Sequence, residues 1–190
     1  GAYPAFERDG LVFAYMGPPE LKPEFPEFDS FEKYDDTRLV PFTNVFPCNW
    51  LQVLDNIGDQ MHTYLLHQPE LLFSGNVPYD LDVGYFTLAA FGTVPLMDYA
   101  EVRDGAAMAF IAGRRMDDDL VWFRINECIL PNMTHHAYLF EDGKEHRLFH
   151  RVHMARWYVP FDDTHSMIIG WRMFGKGADP RQIGIESRCG

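Results

Sequence analysis

The second half of the chain is dominated by short stretches in which hydrophobic residues alternate with polar ones or form brief apolar runs. This pattern favours β-strands. Turn sequences such as Asp104-Gly105 and Asp162-Asp163 separate many of the stretches, and turns this short join neighbouring antiparallel strands. The sequence therefore predicts an antiparallel, meandering sheet. The predicted strands span residues 85–92, 99–102, 107–115, 120–130, 137–140, 150–159 and 166–174.

Upstream of this sheet, the pattern predicts a hairpin, a linker, one further strand and a helix. A turn at Arg8-Asp9-Gly10 would join two short strands within residues 3–15. Four prolines in residues 17–36 predict an extended surface linker that contributes little to the core. A strand over residues 38–46 is followed by a helix that begins near Asn49, whose side chain can act as the N-cap.

Hydrophobic residues recur at steps of three and four through this helix, which marks a buried face. One long helix lying on an antiparallel sheet gives an α+β domain, with the sheet wrapped on the helix in a helix-grip-like arrangement. The polar tail after Gly175 provides no closing helix, so we expect the domain to be incomplete at both ends. The periodic positions are Trp50, Val53, Leu54, Ile57, Met61, Tyr64 and Leu65.

Composition and charge narrow the possible classes of function. With 190 residues, 47% of them hydrophobic, the chain can build one domain with a sizeable core. A net charge of −12 argues against nucleic acid as a partner, and no apolar run approaches the roughly 20 residues of a membrane span. Three widely spaced cysteines without a CxxC pair predict a reducing, cytoplasmic location. The chain also has no glycine-rich phosphate loop and no GxSxG nucleophile motif.

The predicted helix carries Asp59, His62 and His67 at short spacing. Two neutral histidines and one carboxylate on a single metal face leave the open positions that non-haem Fe(II) needs in order to bind dioxygen. On an ideal helix the two histidines would lie about 140° apart, so joint binding requires a wide turn or a helix break near residues 64–66. Two other functions stay open on spacing alone: a metal-free module that binds an apolar ligand, and a zinc hydrolase that uses the same two histidines.

The residues around these positions resemble the catalytic domain of Rieske-type non-haem iron oxygenases, the family of aromatic ring-hydroxylating dioxygenases and aromatic O-demethylases. The closest likeness is to members with a single type of oxygenase subunit, such as phthalate dioxygenase and the vanillate-type demethylases. The segments that carry the resemblance are Tyr3-Pro4 through Pro18, Cys48-Asn49-Trp50-Leu51-Gln52, the Asp-x2-His-x4-His core and Tyr158-Val159-Pro160-Phe161-Asp162-Asp163-Thr164-His165.

The resemblance implies roles for the three polar residues of the helix. His62 and His67 would bind mononuclear Fe(II), and Asp59 would link the iron to a [2Fe-2S] Rieske cluster held by the neighbouring subunit of a homotrimer. The resemblance also implies hydroxylation or O-demethylation of an aromatic or apolar substrate with O2. Electrons would come from a reductase or ferredoxin.

Two features of the family's pattern are absent from the sequence. The Rieske cluster is bound by a Cys-x-His and a Cys-x2-His pair, but no cysteine here precedes Cys48 and none is followed by a histidine at either spacing. The family's third iron ligand is an aspartate that lies further along than residue 190. We therefore expect residues 1–36 to be the exit from a missing Rieske domain plus a proline-rich linker, and residues 37–190 to be a catalytic iron domain truncated at its C-terminus.

Other polar residues have simpler expected roles. Glu70 would compete with His67 for the same direction rather than complete the site, and Asp162 is expected in a hairpin turn. His150 and His153 would point to opposite faces of a strand, so we expect surface or pocket-lining positions for them. His135-His136 is expected in a loop or at the start of a strand, and Cys128 is expected to be a small core residue.

Overall fold

The structure, a computed structural model, describes residues 2–34, 36–67, 89–137 and 152–175. It opens with a hairpin of strands β1 (Ala5–Arg8) and β2 (Leu11–Ala14). Both residues of the turn, Asp9 and Gly10, have positive φ angles, 47° and 79°. Two-residue hairpin turns favour this conformation because it matches the twist of the strands. The predicted hairpin is confirmed.

Seven further strands form one antiparallel sheet, which agrees with the predicted α+β class. Their order across the sheet is β3-β9-β8-β7-β6-β5-β4. Strands that follow one another in the chain from β4 to β9 therefore lie side by side, while β3 pairs with β9 at the opposite edge from β4. The strands are β3 (Arg38–Phe46), β4 (Leu96–Val102), β5 (Ala107–Arg115), β6 (Val121–Ile129), β7 (Met133–Ala137), β8 (Val152–Pro160) and β9 (Ser166–Phe174).

Two of the predicted strands differ from the structure. Residues 89–91 of the first are helical, as the strong helix preference of Ala89-Ala90 favours, and residues 85–88 lie outside the described ranges. The strand expected at 137–140 is β7, which starts earlier, at Met133. Because the chain reverses directly after β6, the next strand begins at once and includes His135 and His136.

The single long helix expected from the hydrophobic period is wrong, because two short helices take its place. They are α1 (Trp50–Asp55) and α2 (Gln60–Leu66). The predicted N-cap of α1 is confirmed, since Asn49 Oδ1 accepts a hydrogen bond from the Leu51 amide at 2.9 Å. Within the described ranges, no helix is both long enough and apolar enough to cross a membrane.

The break between the helices has a local cause. The turn brings Gly58 so close to the sheet that a Cβ there would lie 3.0 Å from the ring of Phe110. Asp59 then starts a new helix as its N-cap, with Oδ1 accepting from the amides of Met61 and His62. The predicted apolar face does not continue onto α2, where the buried residues are the polar Gln60 and Thr63, and Leu65 is 53% exposed.

The two faces of the sheet are covered by different parts of the chain. We call the side packed against α1 the helix face, where Leu54 contacts Tyr158 and Ile168. We call the other side the N-terminal face, where residues of the first 34 positions pack over Trp171 and Met133. Successive strand residues point to opposite faces, so neighbours in sequence serve different layers.

Residues 17–36 contribute to the core, contrary to the expectation of a surface linker. Phe31 is 2% exposed and belongs to the main cluster on the N-terminal face. Phe25, Phe28 and Tyr34 pack against the same cluster. Burial of their aromatic surface stabilises the segment on the sheet despite its prolines.

A polar network also joins this segment to the sheet. His135 Nδ1 lies 3.2 Å from Glu127 Oε2, and its Nε2 lies 3.1 Å from Ser30 Oγ. Arg103 Nη2 donates to the same Glu127 oxygen at 3.0 Å. The hydrogen bond from His135 and the nearby Arg103 lower the pKa of Glu127 to about 2. Because Ser30 and His135 are buried, the network connects elements and does not expose a nucleophile.

Candidate metal centre

Helix α2 brings the two predicted metal ligands together. His62 lies in its first turn, and His67 is its C-cap, with φ −113° and ψ 15°. The helix runs through residues 64–66 without the expected break, and the His67 amide still donates to the Thr63 carbonyl oxygen at 3.1 Å. The two ring centres are 5.3 Å apart. With metal–nitrogen bonds of roughly 2 Å, rings that share one ion have centres within about 6 Å of each other, so this pair can hold a single metal.

The main chain orients the first of these rings. His62 Nδ1 contacts the carbonyl oxygen of Asp59, which can only accept, so Nδ1 carries the proton and Nε2 keeps its lone pair for a metal. Metal-bound histidines commonly make this kind of hydrogen bond with the second ring nitrogen. Burial, and the neighbouring His62, lower the pKa of His67. A lower pKa favours the neutral imidazole, which is the form that binds metals.

Asp59 is connected to the histidines through the backbone and the helix cap. Its side chain is exposed, and Oδ1 accepts from the amides of Met61 at 3.0 Å and His62 at 3.1 Å. The carboxylate therefore fixes the start of α2 and places a negative charge at the surface beside His62.

Within the described ranges, no third His, Cys, Asp or Glu joins these two histidines in a metal-binding group. Glu70 lies outside those ranges. Asp162 occupies the β8–β9 turn as predicted, and its Oδ1 accepts from the amide and hydroxyl of Thr164. The chemistry of the two imidazoles fits non-haem iron, for which His62 and His67 could serve as two of the protein ligands.

Three of the other histidines, His135, His136 and His153, are buried. His135 and His136 sit within β7, and both are buried. His153 lies in β8 and is buried, so of its two expected positions only the pocket-lining one agrees with the structure; burial, then Arg172, lowers its pKa to about 3. His150 lies outside the described residues. Cys128 packs beside the Leu54 cluster, in line with its predicted core position.

Comparison with known proteins gives the chain its family. It is 46% identical over 190 residues to the tert-butanol monooxygenase / tert-amyl alcohol desaturase oxygenase subunit of Aquincola tertiaricarbonis, covering 100% of this chain and 40% of that protein. It is 31% identical over 177 residues to the phenoxybenzoate dioxygenase subunit alpha of Ectopseudomonas oleovorans, covering 86% of this chain and 38% of that protein. This chain belongs to the Rieske-type oxygenases. It spans about two fifths of the length of these two relatives.

The fold agrees with membership of the Rieske-type oxygenases. The structure matches a crystal structure of dicamba monooxygenase bound to dicamba with a TM-score of 0.55 and 16% identity, over 94% of this chain and 51% of that one. No model of a known protein family matches the chain. Rieske-type oxygenases use non-haem iron and a Rieske cluster, which agrees with the resemblance read from the Asp-x2-His-x4-His segment.

Sequence reasoning missed two buried arginines near His62 and His67. Arg114 is completely buried, and its Nη2 donates to Thr63 Oγ1 at 2.6 Å, next to His62. The ring of Phe91 lies 6.5 Å from the ring of His67 and 6.0 Å from Arg124 Cζ. The signal was the alternation along β6, which puts Arg124 on the same face as the buried Trp122.

Proposed function

We propose that this chain forms the mononuclear iron site of an oxygenase subunit that hydroxylates or O-demethylates an aromatic or other apolar substrate with O2. The observation that carries the proposal is the pair His62 and His67, 5.3 Å apart, in a chain whose whole length aligns with an oxygenase subunit at 46% identity. The named relatives act on tert-butanol and phenoxybenzoate, which supports a small, largely apolar substrate.

In this proposal His62 and His67 hold the metal, and the Asp59 carbonyl keeps His62 in the orientation that leaves Nε2 available. When bound, Fe(II) supplies open coordination positions at which O2 can react. Phe91 lies beside His67 and gives this side of the site an apolar wall, which helps to exclude water from the reaction.

We further propose that Asp59 couples this iron to a Rieske [2Fe-2S] cluster carried by the neighbouring subunit of a homotrimer. A reductase or ferredoxin would be the source of electrons. The exposed position of Asp59 supports this role, because a carboxylate at the surface can be reached by another subunit. Its place one helical turn before His62 puts it next to a metal ligand.

The metal ligands are tested by iron analysis of the full-length protein. We expect His62→Ala and His67→Ala each to lower bound iron by about tenfold or more, and to abolish O2-dependent turnover. His165→Ala is the matched control, because His165 is half-exposed in the β8–β9 turn. Normal iron content in either ligand variant would contradict the proposal, as would stoichiometric zinc with activity that needs no oxygen.

The role of Asp59 is tested with Asp59→Asn, which keeps a good N-cap and removes only the charge. We expect iron content and cluster reduction to stay normal while product formation falls roughly tenfold to a hundredfold. Asp55→Asn is the control, since Asp55 is also exposed but lies on α1, before the turn. The decisive measurement is single-turnover product analysis of Asp59→Asn with a pre-reduced cluster. Full product formation would show that Asp59 is not needed for electron transfer.

A further inference from the structure

Four arginines lie on the helix face of the sheet. Residues that pair directly on neighbouring strands point to the same face, so the strand register gives their orientation. Arg114 pairs with Trp122. Arg156 pairs with Thr134, and Thr134 pairs with Cys128. Trp122, Arg124 and Cys128 alternate along β6 and so share a face. The four arginines are Arg114 in β5, Arg124 in β6, Arg156 in β8 and Arg172 in β9.

Two of these guanidinium groups are deeply buried without a counter-charge in the described chain. Arg124 is 8% exposed, and its Nε has no hydrogen-bond partner. Arg114 is 0% exposed, and although its Nη2 donates to Thr63, its Nε and Nη1 have no partner. Among the described residues, no Asp or Glu forms an ion pair with either arginine. Most of the N–H donors of these two guanidinium groups therefore have no acceptor among the described residues.

The arginines also oppose one another. Burial, and then the charges of Arg114 and Arg156, lower the pKa of Arg124 to about 9. Arg156 is partly occupied, since its Nε donates to Thr134 Oγ1 at 3.3 Å and its Cζ lies 5.4 Å from the ring centre of Tyr158. Like charges held together in a buried space are unfavourable unless an anion compensates them.

We propose that Arg124, with Arg114 and Arg156 beside it, binds the carboxylate of an organic acid that is the substrate of this oxygenase. This inference rests on the proposed function, which places the reacting end of the substrate at His62 and His67. A guanidinium fork and a carboxylate match in shape and can form two parallel N–H···O bonds.

The position of Phe91 gives the substrate its direction. Its ring centre lies 6.0 Å from Arg124 Cζ and 6.5 Å from the ring of His67. An acid whose carboxylate pairs with Arg124 can therefore extend its apolar part along Phe91 towards the two histidines. The anion sets the orientation, and the apolar part reaches the metal site.

The test compares benzoate with benzamide, which has nearly the same shape but no charge. Calorimetric titration of the full-length, iron-loaded enzyme should show benzoate binding at least tenfold more tightly than benzamide. Arg124→Met should weaken benzoate binding roughly 10- to 100-fold, the loss typical of a charged hydrogen-bonded pair, and leave benzamide unaffected. Arg124→Lys should recover part of the affinity. Arg115→Met is the control, because the Arg115 side chain is 69% exposed.

Thermal unfolding of the ligand-free variants separates this inference from an internal role of Arg124. If the anion that compensates the charge of Arg124 is the substrate, the ligand-free protein carries an uncompensated buried charge. Arg124→Met removes that charge and should leave the melting temperature unchanged or raise it. A marked fall in melting temperature means that a carboxylate of the protein itself pairs with Arg124, and overturns the inference. Equal affinity for benzoate and benzamide, or no benzoate binding, also overturns it.

Iron content in the same samples keeps the two proposals distinguishable. If iron content and O2-dependent turnover are normal but the enzyme does not distinguish benzoate from benzamide, the proposed function stands and only the inference of an acid substrate is contradicted. Loss of iron in the His62→Ala variant tests the metal ligands and does not test carboxylate binding by Arg124.

Discussion

At the scale of single residues, Gly170 sets how closely β8 and β9 approach in the middle of the sheet. A Cβ at this position would lie 2.8 Å from Arg156 Cα and 2.7 Å from Arg156 Cβ, and would also contact the carbonyl oxygen of Ala155. Directly opposed strand residues normally keep their Cβ atoms about 4.5–5.5 Å apart. Glycine is thus required here by a close backbone approach, which also leaves space for the side chain of Arg156.

We expect Gly170→Ala to lower the free energy of unfolding by about 1–3 kcal/mol, because two strands of a packed sheet must separate to admit the methyl group. Urea unfolding measures the loss. The matched control is Gly113→Ala, where the new Cβ would meet the ring of Phe123 at 3.0 Å. Phe123 is 58% exposed, so its ring can turn aside. Equal losses in the two variants would show that the close approach at Gly170 does not limit stability.

Asp59 illustrates how one residue can combine a structural role with the proposed functional one. Its Oδ1 caps α2, while its carbonyl orients His62. Asparagine would preserve both contacts and remove only the charge, and for that reason the Asp59→Asn variant isolates the electron-transfer role proposed above.

At the scale of elements, the geometry of the site depends on where two short helices begin and end. Asp59 begins α2 as its N-cap, and the helix ends at Leu66 with His67 as its C-cap, whose amide donates to the Thr63 carbonyl oxygen. On a continuous helix His62 and His67 would diverge by about 140°. The five-residue spacing predicted a break near residues 64–66, but the helix runs through them, and the two ring centres nevertheless lie 5.3 Å apart.

The Ser30–His135–Glu127 network is the second contact between elements that can be tested. Glu127 has a folded pKa of about 2, below its ordinary value of 4.5, mainly because of the hydrogen bond from His135. A depressed carboxyl pKa contributes stability that is present above the ordinary value and is lost as pH falls towards the folded value.

We therefore expect Glu127→Gln to be less stable than the wild-type protein by up to about 3 kcal/mol near pH 6. The difference should shrink as pH is lowered from about 5 to about 3, because over this range the carboxyl is protonated in the unfolded chain but stays ionised in the folded one. Urea unfolding across this pH range measures it, with Glu101→Gln, an exposed position on β4, as the control. A difference that does not depend on pH would contradict the assigned pKa.

At the scale of the whole molecule, the sheet is a layer between two unlike surroundings. The N-terminal face is closed by aromatic residues such as Phe31, which contact Trp171 with ring centres 5.1 Å apart. The helix face holds α1, α2 and the buried arginines. The separation has a functional consequence, because one face supplies stability and the other can keep polar and charged side chains for chemistry.

The amino-acid sequence by itself determined the antiparallel strands, the N-cap at Asn49 and the candidate ligands His62 and His67, because these follow from local periodicity and short-range spacing. Only the tertiary structure decided the break at Gly58, the core position of Phe31 and the convergence of Arg114 and Arg124 beside α2. Each of these depends on residues that are distant in sequence, such as Phe110 against Gly58 and Thr63 against Arg114. Packing between such residues overrides the local pattern, which predicted a surface linker over residues 17–36.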